Sequence, residues 1–244
     1  MRLNGLTAVV TGGTRGLGRA IVERYLDEGA TVVAAARTAP DDRLRASDQG
    51  GRLLFHATDV TDPRAVSALF DMVRERFDGL DILVNNAGIS RDGKLGDLPL
   101  AEWKETIDTN LTGTFLCTSA AVELMRDHGG RIINVSSCTA SRPVAGAAAY
   151  CSSKAAIEVL TRCAALELAP MGIAVNCLAP GYIDAGMTKE LAARHAKVWA
   201  RYQSKMLAGR PGRPDELADA AVYLACPESS YVNGHVLEVN GGLL

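Results

Sequence analysis

The chain has 244 residues, 48% hydrophobic and 22% charged, a balance that leaves room neither for a disordered majority nor for a long solvated tail. Its 26 Lys and Arg against 28 Asp and Glu give a net charge of −2, so no positive field marks it for nucleic acid or an anionic membrane, and neither is expected as a partner. A chain of 244 residues suits one open α/β unit, with a core that needs no disulfide staple.

Met1 to Leu6 leads straight into a strand-like run, so no targeting segment is expected, and no apolar stretch approaches the roughly 18 residues that cross a bilayer. Strands are predicted at Leu6–Thr11, Thr31–Arg37, Arg52–Ala57, Asp81–Asn85, Arg131–Ser137, Ile173–Ala179 and His235–Val239. Most are near-continuous apolar runs, the pattern of parallel strands buried on both faces. Between them lie segments of helical period: Leu17–Glu28, Pro63 to about Phe77 behind an Asp62 cap, Leu100–Arg126, Tyr150–Leu168 and Pro214–Ala225. This alternation implies a doubly wound α/β sheet with helices on both faces. The stretch from Ile183 to Pro211 breaks the alternation and is the natural place for a substrate lid.

Cys117, Cys138, Cys151, Cys163, Cys177 and Cys226 form no C-x-x-C pair and no zinc spacing, and no metal site is expected. With no leader in view, they suggest a reducing, cytoplasmic setting. Cys138 and Cys151 each follow a candidate catalytic residue, and small-residue packing explains them.

Thr11-Gly12-Gly13-Thr14-Arg15-Gly16-Leu17-Gly18 joins the first strand to the first helix. Glycines there permit a tight turn and close backbone approach to a diphosphate, which the free N–H groups of the helix N-terminus then hold. Tyr150 and Lys154 are one helical turn apart on one face. A phenol ordinarily titrates near ~10, and a neighbouring ammonium is expected to lower it toward a useful range.

These motifs resemble the short-chain dehydrogenase/reductase family, whose phosphate loop reads T-G-x-x-x-G-x-G, and the likeness runs through essentially the whole chain. Asn85-Asn86-Ala87-Gly88 is similar to the family's N-N-A-G; Asp59-Val60 falls where it holds the adenine, and Pro180-Gly181 where it walls off the nicotinamide. The resemblance implies a Rossmann-type sheet of seven parallel strands, ordered 3-2-1-4-5-6-7, with residues 183–211 as a helical lid on a single unit spanning 1–244. It implies cofactor contacts from Gly12, Thr14, Arg15, Gly16, Leu17, Gly18, Arg37, Asp59, Val60, Asn86, Ala87, Gly88, Pro180, Gly181 and Ile183, with Tyr150 and Lys154 toward the nicotinamide ribose. The second strand ends Ala34-Ala35-Ala36-Arg37, so Ala36 stands where an NAD-preferring relative carries an acid. Arg15 and Arg37 could instead bind a 2′-phosphate, and NADPH is the expected cofactor.

In the resembled family a serine at the Ser137 position bonds the substrate carbonyl, and an asparagine at the Asn110 position takes part in a proton relay to the lysine. The implied catalytic set is therefore Asn110, Ser137, Tyr150 and Lys154, with Ser136 a structural neighbour and Tyr150 the general acid. Gly88-Ile89-Ser90-Arg91-Asp92, Gly209-Arg210-Pro211 and Val239-Asn240-Gly241-Gly242 are most similar to 3-oxoacyl-acyl-carrier-protein reductases and polyketide ketoreductases. The expected substrate is a 3-oxoacyl thioester or polyketide-like β-ketone, free or carrier-bound. Two alternatives stand beside it: a dehydrogenase of a sugar, polyol or other secondary alcohol, and an NADPH-sensing interaction protein.

The chain departs from that pattern at His128 and Met171, where basic residues would meet an acidic carrier, and at Ala185, where a threonine would touch the nicotinamide amide. Arg194, Lys197, Arg201 and Lys205 suggest a basic stripe on one lid helix that could meet an anionic carrier or substrate. Leu191, Val198, Trp199, Tyr202 and Met206 form its apolar complement, from which Trp199 or Tyr202 could line the pocket. A homotetramer is implied, with the helices around Asn110 and Tyr150 and the last strand at its interfaces.

Overall fold

The structure is a computed structural model that describes residues 1–48, 50–194 and 196–243. Strands β1 (Thr7–Thr11), β2 (Thr31–Ala36), β3 (Leu53–Ala57), β4 (Ile82–Asn85), β5 (Gly130–Val135), β6 (Ile173–Pro180) and β7 (Val236–Val239) form one parallel sheet, ordered β3-β2-β1-β4-β5-β6-β7 as expected. Although the strands read as continuous apolar runs, register divides them cleanly. Val9 pairs with Val33 and Leu83, Leu83 with Ile132, and Ile132 with Val175, making one row on one face. Their neighbours Val10, Ala34, Val84 and Ile133 line the other.

Helices α1 (Gly16–Asp27), α2 (Asp42–Ala46), α3 (Pro63–Arg76), α4 (Leu100–Ile107), α5 (Gly113–Met125), α6 (Ala148–Leu168), α7 (Gly186–Arg194), α8 (Ala196–Gln203) and α9 (Pro214–Ala225) complete the described elements. Helices α1 and α9 cover the face of Val10, Ala34, Val84 and Ile133 with Ile21, Val22, Ala221 and Val222, tied by the Tyr25 hydroxyl donating to the Ala221 carbonyl at 3.1 Å. Helices α3 and α5 cover the face of Val9, Val33, Leu83, Ile132 and Val175 with Leu69, Phe70, Val73, Cys117 and Ala121, assisted by Ala164 and Ala165 of α6. Each fully buried aliphatic side chain contributes about 1.5–3 kcal/mol, so both layers hold the sheet firmly.

Helix α3 begins as its sequence indicates, with Asp62 accepting from the Arg64 N–H at 2.9 Å and Pro63 in the first turn. Three local features differ from expectation. Helix α2, capped by Asp41 accepting from Leu44 N–H at 2.9 Å, is too short to show a period. The single helix expected over Leu100–Arg126 is interrupted by one π turn at Asp108–Thr112. Asn110 turns inward there, and Gly113 lies so close to Val60 that a Cβ would come within 2.7 Å of its Cγ2. Residues 183–211, the expected lid, hold two helices rather than one, so Arg194 ends α7, Lys197 lies in the first turn of α8, and Lys205 lies past α8. The expected continuous basic stripe is therefore broken. The side chains of Val198 and Arg201 fall outside the described part.

Because the chain winds outward in both directions from β1 and β4, a crevice opens at their carboxyl ends, the place where such sheets receive ligands. The lid is closed on itself above the β6 end: Gly212 N–H donates to the Tyr182 carbonyl at 2.9 Å, and Asp184 N–H to Gly212 at 2.8 Å. Leu207 N–H also donates to the Gly242 carbonyl at 3.0 Å, fixing the far end of the lid to the C-terminal segment.

Candidate active site

The floor of the crevice is organised by Thr11, whose hydroxyl accepts from both Asn86 and Ala87 N–H groups at 3.0 Å. Asn86 returns the contact, its Nδ2 donating to the Thr11 carbonyl at 2.9 Å and to Gly12 at 3.3 Å. The two motifs that lie far apart in sequence are thus one hydrogen-bonded unit. The sequence places Thr11 at the end of the first strand and at the head of the glycine loop; its bonds to Asn86 and Ala87 are what the fold adds.

Gly12 has φ of +63°, in the left-handed region that glycine occupies without cost. Gly18 packs so tightly that an added Cβ would collide with the Gly12 carbonyl and Asn86 Nδ2. Beyond these glycines, Thr14 is buried and Leu17 half-buried, and α1 carries no acid in its first turn to compete for its N–H groups. The cradle fits a dinucleotide diphosphate: backbone is bare where phosphate must come close, and the helix end is electropositive. Gly18→Val is expected to lower stability by about 1–3 kcal/mol through overpacking and to abolish dinucleotide binding, checked by thermal denaturation and calorimetric titration of the same preparation.

On the β3 side of the crevice, Asp59 accepts from Thr61 N–H at 3.0 Å, which holds its carboxyl below the ordinary value, with a smaller contribution from Arg37. Val60 is buried beside it. Arg15 and Arg37 are exposed, and neither forms an ion pair among the described residues. Ala36, at the end of β2, provides no carboxylate. At the other end, Pro180 closes β6, Gly181 N–H donates to Val239 at 2.9 Å, and Ile183 is buried where it pairs with Gly212. Ala185 sits in a tight turn, its N–H donating to the Ile183 carbonyl at 2.6 Å.

Asn110, Ser137, Tyr150 and Lys154 are brought together at the carboxyl end of β5 and the start of α6. Asn110 is completely buried; its Oδ1 accepts from Ile89 N–H at 2.8 Å, and its Nδ2 donates to the Ile89 carbonyl at 2.9 Å and to Ser153 Oγ at 3.0 Å. A Cβ on Gly88 would lie 3.3 Å from Asn110 Oδ1 and 3.4 Å from Lys154 Nζ, so the Gly88 backbone packs closely against both groups. Ser137 caps a short 3₁₀ turn, its Oγ accepting from Thr139 N–H at 3.2 Å and Thr139 Oγ1 at 3.0 Å.

Burial pushes the half-buried Tyr150 phenol up to about 12, while the neighbouring Ser137 hydroxyl pulls the other way. This corrects the expectation that Lys154 alone would bring the phenol down. The Lys154 ammonium, 5.6 Å from the Tyr150 ring centroid, is itself pushed down to about 8 by burial, and it donates to the Val135 carbonyl at 2.7 Å. Without ligand, desolvation outweighs the attraction between the two groups.

A stability consequence follows from Lys154. Its folded value lies below the unfolded one, so between about pH 8 and the ordinary lysine value the unfolded chain binds more protons. The cost of burying the ammonium is complete below that window and disappears as pH rises through it. Lys154→Met is therefore expected to show a flatter rise in Tm with pH over this window than the parent chain, measured by denaturation scans across alkaline buffers.

A sequence profile described as enoyl-(acyl carrier protein) reductase matches residues 12–244. The 3-oxoacyl-(acyl-carrier-protein) reductase FabG of Vibrio cholerae is 38% identical over 244 residues, covering 100% of this chain and 99% of that protein. The short-chain reductase protein NovJ of Streptomyces niveus is 40% identical over 243 residues, covering 96% of this chain and 92% of its own. Among solved structures, a mutant short-chain dehydrogenase/reductase of Serratia marcescens superposes with a TM-score of 0.92 at 34% identity, covering 99% of both chains. With profile, sequence relatives and fold in agreement around an intact crevice, the chain belongs to the short-chain dehydrogenase/reductase family of oxidoreductases.

Proposed function

We propose that the protein is an NADPH-dependent carbonyl reductase, acting on a 3-oxoacyl thioester or polyketide-like β-ketone with Tyr150 as general acid. The observation that carries this reading is the placement of a half-buried Tyr150 one helical turn from buried Lys154, whose Nζ lies 5.6 Å from the Tyr150 ring centroid. When bound, the cofactor supplies the hydride. The chain supplies orientation and the proton. Ser137 and Tyr150 would donate hydrogen bonds to the substrate carbonyl oxygen and stabilise the negative charge that develops there. The Tyr150 O–H bond then breaks as the substrate O–H bond forms, and the phenolate left behind is stabilised by the nearby Lys154 ammonium. Asn110, locked to Ile89 and adjoining the Lys154 pocket across Gly88, is proposed to take part in returning the proton.

NADPH rather than NADH is supported by Arg15 and Arg37, which carry no competing ion pair among the described residues, and by the missing carboxylate at Ala36. An apolar acyl substrate is supported by the lid, where Tyr182 stacks on Tyr202 at 4.7 Å and meets Trp199 edge-on at 5.9 Å. The relatives named as acting on acyl-carrier-protein thioesters support the same class. We further propose that residues 1–244 work as one unit with 183–211 as lid. Six cysteines without a disulfide support a reducing, cytoplasmic setting. Exposed Phe115, Val159 and Leu166 on α5 and α6 support assembly into a homotetramer.

The test is NADPH consumption with acetoacetyl thioester, free and carrier-bound, beside cyclic ketones and keto-sugars. Thioester turnover well above the other carbonyls is expected. Turnover confined to keto-sugars would keep the chemistry and discard the acyl substrate.

A further inference from the structure

We propose that Glu158 is a positioning residue of the proton-transfer site, acting through Ser136 on the strand end that presents Ser137 and anchors Lys154. The inference rests on the roles proposed above for Tyr150, Ser137 and Lys154. Three consecutive residues at the end of β5 are each bonded to α6, which runs back along the strand. Asn134 Nδ2 donates to Thr161 Oγ1 at 3.0 Å, the Val135 carbonyl accepts from Lys154 Nζ at 2.7 Å, and Ser137 follows two residues after Val135. Between them, the Ser136 hydroxyl meets the Lys154 carbonyl at 2.9 Å and Glu158 Oε1 at 3.0 Å.

Tyr150, Lys154 and Glu158 stand at i, i+4 and i+8, on one face of α6. Ser136 is 2% exposed and has a single proton for two acceptors. That one proton is shared between the Lys154 carbonyl and the Glu158 carboxylate, and the carboxylate's pull sets the orientation of the Ser136 side chain and, through it, of the peptide that leads to Ser137. Glu158 lies roughly 12 Å along the helix from Tyr150, too far to touch the reacting atoms. Its influence therefore has to pass through Ser136.

The experiment measures kcat and KM on the β-keto thioester, and Kd for NADPH, for Glu158→Leu, Glu158→Gln, Ser136→Ala and the Ser136→Ala/Glu158→Leu double variant, with Tyr150→Phe as control. Glu158→Leu should lower kcat about tenfold with KM and Kd close to the parent, since a small displacement of positioned groups acts on the chemical step. Glu158→Gln should recover most of that loss, because its amide oxygen still accepts from Ser136. The double variant should be no worse than Glu158→Leu, the mark of two residues acting as one. A parental kcat in Glu158→Leu, a loss that Glu158→Gln does not recover, or an equal loss in NADPH affinity would overturn the proposal. If Glu158→Leu does not fold, Ser136→Ala and Glu158→Gln decide it: parental kcat in Ser136→Ala overturns it, and a lowered kcat beside an active Glu158→Gln supports it. An active Tyr150→Phe would instead bring down the reductase mechanism, and this inference with it.

Discussion

Tyr150→Phe is expected to bind NADPH as the parent does and to lose about 10²–10⁴-fold in turnover on a β-keto thioester, the range for removal of a general acid. The substitution takes away one oxygen and leaves the ring, so the packing of α6 against β5 is retained. The effect should fall on kcat, because the proton is needed only as charge develops on the substrate oxygen. The pH behaviour is equally specific. Burial lifts the phenol to about 12, so the unliganded enzyme carries the proton throughout the neutral range, as reduction requires. Oxidation of an alcohol needs the phenolate, and its rate should therefore climb with pH well above neutrality. Parallel rate profiles in the two directions would contradict the assignment.

Arg37→Asp should produce the second large effect. A charge-assisted hydrogen bond contributes about 1.5–3 kcal/mol, so losing it weakens NADPH binding by roughly 10–100-fold. The new carboxylate would also repel the 2′-phosphate while accepting from a 2′-hydroxyl, so NADH affinity should rise. Calorimetric titration of both nucleotides gives the preference directly. A ratio unchanged from the parent would remove Arg37 from the nucleotide site.

Much of this was legible in sequence because the determining features are local. The seven strands were readable from apolar runs of the right length, and the nucleotide cradle from glycines spaced between a strand and a helix. Tyr150 and Lys154 lie within one helical turn, where spacing alone specifies a shared face. Other features depend on contacts across the fold. The π turn at Asp108–Thr112 adds a single residue to one helical ring, a change that an apolar period averages out. Ser153 and Glu158 act through partners 43 and 22 positions away on other elements, and Thr11, though it heads the glycine loop, reaches Asn86 and Ala87 more than 70 positions on. The lid stripe failed for the opposite reason: a helical period continued on paper through the break between α7 and α8.

The direction of the phenol shift was also beyond sequence, because it depends on how completely water is excluded. A lysine one turn away suggested a lowered value, whereas burial acts on both groups and favours their neutral forms. His128 shows the same limit. It was read only as a departure from a basic docking position, yet its ring lies against Gly79, where a Cβ would come within 2.9 Å of His128 Cε1. Packing gives that side chain a place in the structure that composition did not disclose.

The most direct measurement is product analysis by mass spectrometry after incubation with acetoacetyl thioester and NADPH deuterated at the transferable position. Hydride transfer under the control of Tyr150 should place a single deuterium on the new carbinol carbon with the parent chain and almost none with Tyr150→Phe. NADPH binding without labelled product from any carbonyl tested would contradict the reductase reading and favour a protein that senses the nucleotide.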